Sequence, residues 1–259
     1  MKAIILAGGM GTRLGKYTKD VPKCMLKFLS KSLIERQVET IRGCGITEII
    51  ITRKHLKEKI NIPGVEYNDK ELDDTNMLDD FYNSIKDLDD DVVLCYGDII
   101  YEPRVLKQAI ESQGEVNIVA DMDYKEYWTA RLGDFRNDLE SFVSGKNNKM
   151  ISLGKANPKD EEIKERYVGI IKFSRKILPK IKEIYEKNKK LFWDKPWHSS
   201  PSFKKAYMTD FLQELINLGF DVRAVKIKKG WMEFDTVEDY ENAIRWAKEK
   251  TLSRFINIT

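Results

Sequence analysis

The chain opens with a short apolar run that leads directly into a glycine-rich loop. The run, Lys2–Leu6, has the length of a buried strand, and the next eight residues read AGGMGTRL. Glycine is needed where backbone approaches a ligand closely, because a Cβ would collide with it. Backbone N–H groups in such a loop suit a phosphate group, as do the cations of Arg13 and of Lys23 ten residues later. The opening therefore predicts a phosphate-binding site at the end of the first strand.

Two common glycine motifs do not fit this loop. A dinucleotide-binding fingerprint needs a third glycine three positions after Gly11, where the chain has Leu14. A Walker loop ending in Gly15-Lys16 needs an earlier glycine at the position of Met10, and Ser or Thr where Tyr17 stands. The loop is therefore predicted to bind phosphate in a third way.

Residues 7–26, AGGMGTRLGKYTKDVPKCML, resemble the signature of the nucleotidyltransferases that join a nucleoside triphosphate to a small phosphorylated substrate. That signature is a glycine loop with Gly-Thr-Arg-Leu, followed by Pro-Lys before an apolar residue. The chain departs from it at 16–17, where the family often has proline. The resemblance implies that Arg13 and Lys23 are the catalytic cations that hold the triphosphate. It also implies a nucleotide-binding loop made of Ala7, Gly8, Gly9, Gly11, Thr12 and Arg13.

Charge and composition narrow the class of protein. The 45 basic and 42 acidic residues nearly cancel and lie along the whole length of 259 residues. A nucleic-acid surface needs basic residues gathered on one face, so no nucleic-acid partner is expected. No apolar run approaches 18 residues, and the N-terminal apolar run is too short for a signal peptide, so we expect a cytoplasmic protein without a membrane span. The three cysteines lack metal-ligand spacing.

Strand and helix patterns alternate along the chain. This alternation predicts an α/β fold, a Rossmann-like, mostly parallel sheet with helices on both faces. We predict one domain over 1–259, in which the less regular segment 121–207 forms an inserted, acceptor-binding subdomain. The predicted strands are 2–6, 49–52, 92–96, 116–120, 167–173 and 222–227. The predicted helices are one from 32 to 43 or 45, 74–86, 103–112, one that follows the strand 167–173 and runs through 190, 209–218 and 236–250.

Two aspartates occur where predicted strands end. Asp98 follows the apolar run Val92–Tyr96 and Gly97, and Asp235 lies in the segment GWMEFDT, residues 230–236. Taken singly, Asp98 could be a strand-end turn residue and Asp235 a helix-capping residue. Both positions match the nucleotidyltransferase resemblance, which implies that the two carboxylates hold Mg²⁺. Magnesium binds few protein oxygens and keeps phosphate oxygens and waters as its other ligands.

Blocks in the second half of the chain resemble a narrower group. They read ISLGK (151–155), RYVGIIKF (166–173), MTDFLQ (208–213) and GWMEFDT (230–236). They are similar to cytidylyltransferases that act on small non-sugar phosphates and phosphonates of the phosphoglutamine, phosphocholine or aminoethylphosphonate type. The resemblance implies cytidylyl transfer from CTP with release of pyrophosphate, in capsule or cell-surface polysaccharide biosynthesis. It leaves a homo-oligomer open.

The same resemblance suggests which residues bind the substrates. Lys155 stands where related enzymes carry a lysine that meets the acceptor phosphate, although it could also be a surface lysine after a turn. Asn76 is a candidate for reading the base, since an amide both donates and accepts, but it could equally cap a helix. Trp128, Arg131 and Asp210 are further candidates for the acceptor pocket.

Two other functions stay open at this point. A sugar-1-phosphate nucleotidyltransferase that uses dTTP or UTP would share the glycine loop and both aspartates. A non-catalytic nucleotide sensor would also share the fold, although a sensor need not keep both metal-binding aspartates. The downstream blocks favour cytidylyl transfer to a small acceptor.

Overall fold

A computed structural model describes residues 1–71 and 74–258 of the chain. Its strands are β1 (Lys2–Leu6), β2 (Lys27–Phe28), β3 (Lys31–Ser32), β4 (Ile49–Arg53), β5 (Glu66–Asp69), β6 (Val92–Tyr96), β7 (Ile99–Tyr101), β8 (Val116–Asp121), β9 (Glu140–Ser144), β10 (Met150–Ala156), β11 (Arg166–Phe173), β12 (Val222–Ile227) and β13 (Trp231–Glu233). Its α-helices are α1 (Leu33–Gly43), α2 (Met77–Ile85), α3 (Pro103–Glu111), α4 (Tyr124–Leu132), α5 (Leu178–Phe192), α6 (Met208–Asn217) and α7 (Val237–Lys248).

The central sheet has the order β12-β8-β11-β6-β1-β4-β5 within the described ranges. Neighbouring strands are parallel except at β11, which runs antiparallel to both β6 and β8. The predicted α/β, mostly parallel sheet is therefore confirmed. Because β1, β4 and β6 are parallel, the loops that follow them meet at one edge of the sheet, which is where such folds bind ligands.

Helices cover both faces of the sheet, as predicted. Alternate residues of β1 point to opposite faces, so Ala3 and Ile5 pack in one core, and Ile4 and Leu6 in the other. The first core includes residues of α1, α3, α4 and α7, and the second includes residues of α2, α5 and α6. The strand is apolar without alternation because neither of its faces meets water.

Local capping signals set the helix boundaries. Ser32 and Glu35 form a capping box at the start of α1, and Thr236 and Asp239 form one at the start of α7. The prediction for α2 was too early, because the helix begins at Met77 rather than at residue 74. Asn76 itself has an extended backbone conformation, and its side-chain oxygen accepts the Met77 N–H. No helix within 1–71 and 74–258 is long and apolar enough to cross a membrane.

The segment 121–207 contributes to the central sheet as well as to structure outside it. Its strand β11 lies between β8 and β6, whereas β9 and β10 form a separate antiparallel pair. Helix α4 packs in the first core and α5 in the second. A role of this segment in binding the acceptor stays a prediction.

Gly97 allows the ends of β1 and β6 to approach each other. Its N–H donates to the Leu6 carbonyl oxygen at 3.0 Å. A Cβ on Gly97 would lie 2.5 Å from that same oxygen and 3.0 Å from the Ala7 Cα. This contact brings Asp98 beside the glycine loop, so the spacing between the two loops depends on the absence of a side chain at residue 97.

Gly97→Ala should therefore destabilise the protein by about 1–3 kcal/mol, because the added methyl group must push two backbone segments apart. Urea denaturation followed by circular dichroism measures the change in the free energy of unfolding. Gly43→Ala is the matched control, since a Cβ there would have no atom within 4 Å. Equal stability of the two variants would contradict the close approach at Gly97.

Candidate active site

A cleft of about 350 Å³ lies at the edge of the sheet where β1, β4 and β6 end. The loop after β1 forms one wall, and the first residues of α2 and the residues after β6 form the others. The lining residues are Leu6, Ala7, Gly8, Gly9, Met10, Gly11, Thr12, Arg13, Lys23, Cys24, Lys54, Thr75, Asn76, Met77, Asp80, Tyr96, Gly97, Asp98 and Asp235.

The glycine loop lines this cleft along its length. Gly11 allows a left-handed turn, and Gly8 allows the close approach of two side chains. Gly11 has a φ of 64°, a left-handed conformation that favours glycine, and a Cβ there would lie 3.0 Å from the Lys23 Cβ. A Cβ on Gly8 would lie 3.3 Å from both Asp80 Oδ2 and Lys54 Cδ. The Thr18 hydroxyl donates to the Gly11 carbonyl oxygen at 2.7 Å and fixes the turn.

Four charged side chains from distant segments meet at one end of the cleft. The Lys23 ammonium lies 2.5 Å from both Asp98 Oδ2 and Asp235 Oδ1. Arg13 donates to Asp235 Oδ2 at 2.7 Å. Burial alone would lower the pKa of Lys23, but the two carboxylates raise it above its ordinary value. The structure thus brings together the two predicted cations and the two predicted metal-binding aspartates.

A buried ion-pair network supports Asp235 from behind. Arg131 donates to both carboxylate oxygens of Asp239, at 2.6 and 2.7 Å, and to Glu233 Oε2 at 2.9 Å. Asp239 Oδ2 in turn accepts the backbone N–H groups of Asp235 and Thr236, both at 2.9 Å. The bidentate geometry fixes the start of α7, and with it the position of the Asp235 carboxylate.

Trp128 lies beneath this network and has no surface open to a ligand. The guanidinium groups of Arg131 and Arg166 lie over its ring, at 4.8 and 4.2 Å from the ring centroid, and its indole N–H donates to the Asn137 carbonyl oxygen. Trp128 and Arg131 were both predicted to line the acceptor pocket. The structure places them in the core, where they support the site instead of lining it.

The remaining predicted residues lie in different surroundings. Asp210 is buried and accepts hydrogen bonds from the Ser199 and Ser200 hydroxyls and the Tyr207 N–H, so its carboxylate anchors the loop before α6. Lys155 lies on β10, outside the set of cleft-lining residues, with its ammonium 3.3 Å from the Glu162 carboxylate. Asn76 lines the cleft, and its amide N–H donates to the Lys205 carbonyl oxygen at 3.0 Å.

The cleft also holds a second buried pair that was not expected from the sequence. Lys54 Nζ lies 2.8 Å from Asp80 Oδ1, and both side chains are less than 10% exposed. Lys54 follows β4 directly, at the same edge where Asp98 follows β6. Applying the strand-end argument to β4 would have found Lys54. Asp80, in contrast, lies within α2 in no recognised motif, so only the fold reveals its position.

Comparisons with known proteins identify the family of the chain. Residues 3–193 match the MobA-like NTP transferase domain family. The chain is 32% identical over 254 residues to the CTP:phosphoglutamine cytidylyltransferase of Campylobacter jejuni, covering 93% of this chain and 98% of the relative. The chain belongs to this nucleotidyltransferase family, so the predicted class of enzyme is confirmed.

Solved structures confirm the fold and leave the nucleotide undecided. The inositol-1-phosphate CTP transferase from T. maritima superposes with a TM-score of 0.67 at 19% identity, covering 99% of this chain and 98% of that one. A protein described as a glucose-1-phosphate thymidylyltransferase from Bacillus anthracis superposes with a TM-score of 0.70 at 21% identity, covering 100% and 97%. Because proteins named for different nucleotides share the fold, side chains must decide which nucleotide binds.

Arg131→Met should destabilise the protein by about 3–5 kcal/mol, because it leaves the buried carboxylates of Asp239 and Glu233 without their shared cation. Urea denaturation measures the loss. Arg175→Met, which breaks an exposed pair with Asp89, should cost less than about 1 kcal/mol. If both substitutions cost the same, the Arg131 network does not support the fold as described.

Proposed function

We propose that this protein transfers a cytidylyl group from CTP to a small phosphorylated or phosphonate acceptor and releases pyrophosphate. The observation that carries the proposal is the meeting of Arg13, Lys23, Asp98 and Asp235 at one end of the cleft. The choice of cytidine and of a small acceptor is supported by similarity to the phosphoglutamine enzyme over nearly the whole length of both chains. A phosphoglutamine-type acceptor is therefore our first candidate.

The geometry suits a direct displacement at phosphorus. An acceptor phosphate or phosphonate oxygen attacks the α-phosphorus, the bond to the pyrophosphate oxygen breaks, and pyrophosphate leaves. The attacking oxygen is already an anion, so no protein base has to remove a proton. Arg13, whose side chain is 67% exposed, can turn towards the triphosphate, and Lys23 lies beside it. Their two charges would stabilise the negative charge on the leaving pyrophosphate.

The two aspartates fit a Mg²⁺ ion. Their carboxylate oxygens converge on one cation, the Lys23 ammonium, so the pair already forms an anionic site for a single positive group. Within the described ranges, no three acidic, histidine or cysteine side chains are grouped as a protein-only metal site. Two carboxylates suit magnesium, which takes its other ligands from phosphates and water. When bound, the ion would neutralise charge on the triphosphate.

Lys155 is exposed and stays a predicted partner of the acceptor phosphate, together with the 121–207 segment. A sugar-1-phosphate nucleotidyltransferase using dTTP or UTP is the second candidate, because the fold is shared with a protein of that description. A role as a non-catalytic sensor is disfavoured, since all four charged residues of the site are present and meet.

Substrate turnover tests the proposal directly. Pyrophosphate release is measured with CTP, UTP, dTTP, ATP and GTP, each paired with phosphoglutamine, phosphocholine, 2-aminoethylphosphonate and glucose-1-phosphate. We expect turnover with CTP and one of the small non-sugar acceptors, and Arg13→Ala should reduce it by orders of magnitude because it removes a charged phosphate contact. Preference for dTTP or UTP with glucose-1-phosphate would contradict the cytidylyl proposal.

Lys23 and a divalent ion should compete for the two aspartates. In the protein without nucleotide, Lys23→Met should raise the affinity for Mn²⁺ by about tenfold or more, because a positive charge leaves the carboxylates. Electron paramagnetic resonance of unbound Mn²⁺ measures this without any turnover. Lys16→Met is the control, since its exposed ammonium pairs with Glu241 instead. Unchanged Mn²⁺ affinity in Lys23→Met would place the ion elsewhere.

A further inference from the structure

The cleft has two ends with different chemistry, and the proposed function orients a nucleotide between them. Phosphates belong at the end that carries Arg13, Lys23, Asp98 and Asp235. The base then lies at the other end, which we take to be the part of the lining where Lys54 contacts Thr75 and Asp80, beside Asn76 and Met77. The orientation of the nucleotide rests on the proposed function. The inference concerns which of these side chains recognises the base.

Asp80 presents one carboxylate oxygen to this end of the cleft. Its Oδ1 lies 2.8 Å from Lys54 Nζ and 3.6 Å from Lys70 Nζ. Its Oδ2 lies beside Gly8, 3.3 Å from where a Cβ would stand. Across residues 1–71 and 74–258, neither carboxylate oxygen accepts a hydrogen bond, although Oδ1 is buried and forms the ion pair with Lys54. Burial raises the pKa of Asp80 above its ordinary value, although the two ammonium groups oppose that rise. We take Asp80 as a carboxylate, which only accepts hydrogen bonds, because the Lys54 ammonium lies 2.8 Å from its Oδ1.

The amide of Asn76 is less available in this structure. Its Oδ1 accepts the Met77 N–H at 2.8 Å, and its Nδ2 donates to the Lys205 carbonyl oxygen. These contacts hold the start of α2 in place. Asn76 can shape the wall against which a base packs, whereas Asp80 Oδ2 can still accept a hydrogen bond.

Pyrimidine bases differ at the position where such an acceptor would discriminate. Cytosine carries a 4-amino group that donates hydrogen bonds, whereas uracil and thymine carry a 4-carbonyl oxygen that accepts them. A carboxylate oxygen attracts the first and repels the second. We infer that Asp80 is the residue that selects cytosine over uracil and thymine, by accepting a hydrogen bond from the 4-amino group in a position that Lys54 fixes.

The test compares nucleotide binding by variants in the absence of an acceptor. Isothermal titration calorimetry gives the ratio of CTP to UTP affinity for the full-length protein. Asp80→Asn keeps the shape but offers an amide N–H, so the ratio should fall by about 10- to 100-fold. Asp79→Asn is the matched control, because Asp79 pairs with Lys70 and Tyr185 and does not line the cleft. Its ratio should equal that of the wild type.

A ligand-side probe keeps the inference testable even if Asp80→Asn folds poorly. The triphosphate of the pyrimidin-2-one riboside is cytidine triphosphate without its 4-amino group. Wild-type protein should bind it about 10- to 100-fold more weakly than CTP, and Asp80→Asn should show little of this difference. Equal binding of the two triphosphates by the wild type would overturn the inference.

These outcomes separate the two proposals. If the wild type transfers cytidylyl groups while Asp80→Asn keeps the wild-type ratio of CTP to UTP affinity, the assignment of Asp80 fails and the proposed function stands. If the wild type turns over UTP or dTTP in preference to CTP, the proposed function fails, and the assignment of Asp80 fails with it.

Discussion

The sharing of one lysine between two aspartates determines how the cleft is built. Lys23 joins Asp98 and Asp235, which arrive from a central strand and from the start of the last α-helix. Burying any of these charges alone would be costly, and with Arg13, which pairs with Asp235, the group holds two positive and two negative charges. The glycine loop must then pass beside them with little room, as the contact between Gly11 and Lys23 shows. The shape of the cleft wall therefore depends on charge pairing as much as on the sheet.

Behind this group lies a second layer that keeps Asp235 in place. Arg131 and Asp239 form a bidentate pair, and Asp239 also caps α7 through the two N–H groups at its start. Trp128 gives the guanidinium of Arg131 a flat aromatic surface. Arg131 and Trp128 can therefore lie close to the proposed reaction site without contacting a substrate.

The sequence revealed those parts of the fold and site that depend on local rules. The start of α1 at Ser32 and the place of Asp98 after a buried strand both follow from short-range patterns. The partners of Arg131 could not be read in this way, because its contact with Asp239 joins residues 108 apart along the chain. The start of α2, in contrast, follows from a local signal that the prediction placed too early, since Asn76 accepts the Met77 N–H and caps the helix. The pairing of Arg131 stayed open because it depends on the fold.

Charge balance in the cleft also constrains the order of events in the proposed reaction. At the phosphate end, two cations already neutralise two carboxylates, so a divalent ion arriving alone meets Lys23 in its place. A nucleoside triphosphate brings the negative charge that Arg13 and Lys23 can take as new partners. Their move from carboxylates to phosphates would free the oxygens of Asp98 and Asp235 to hold the proposed metal ion. Under the proposed function, nucleotide and metal binding would then be coupled by the exchange of one set of ion pairs for another, and a nucleotide without its triphosphate charge would leave Lys23 where it is.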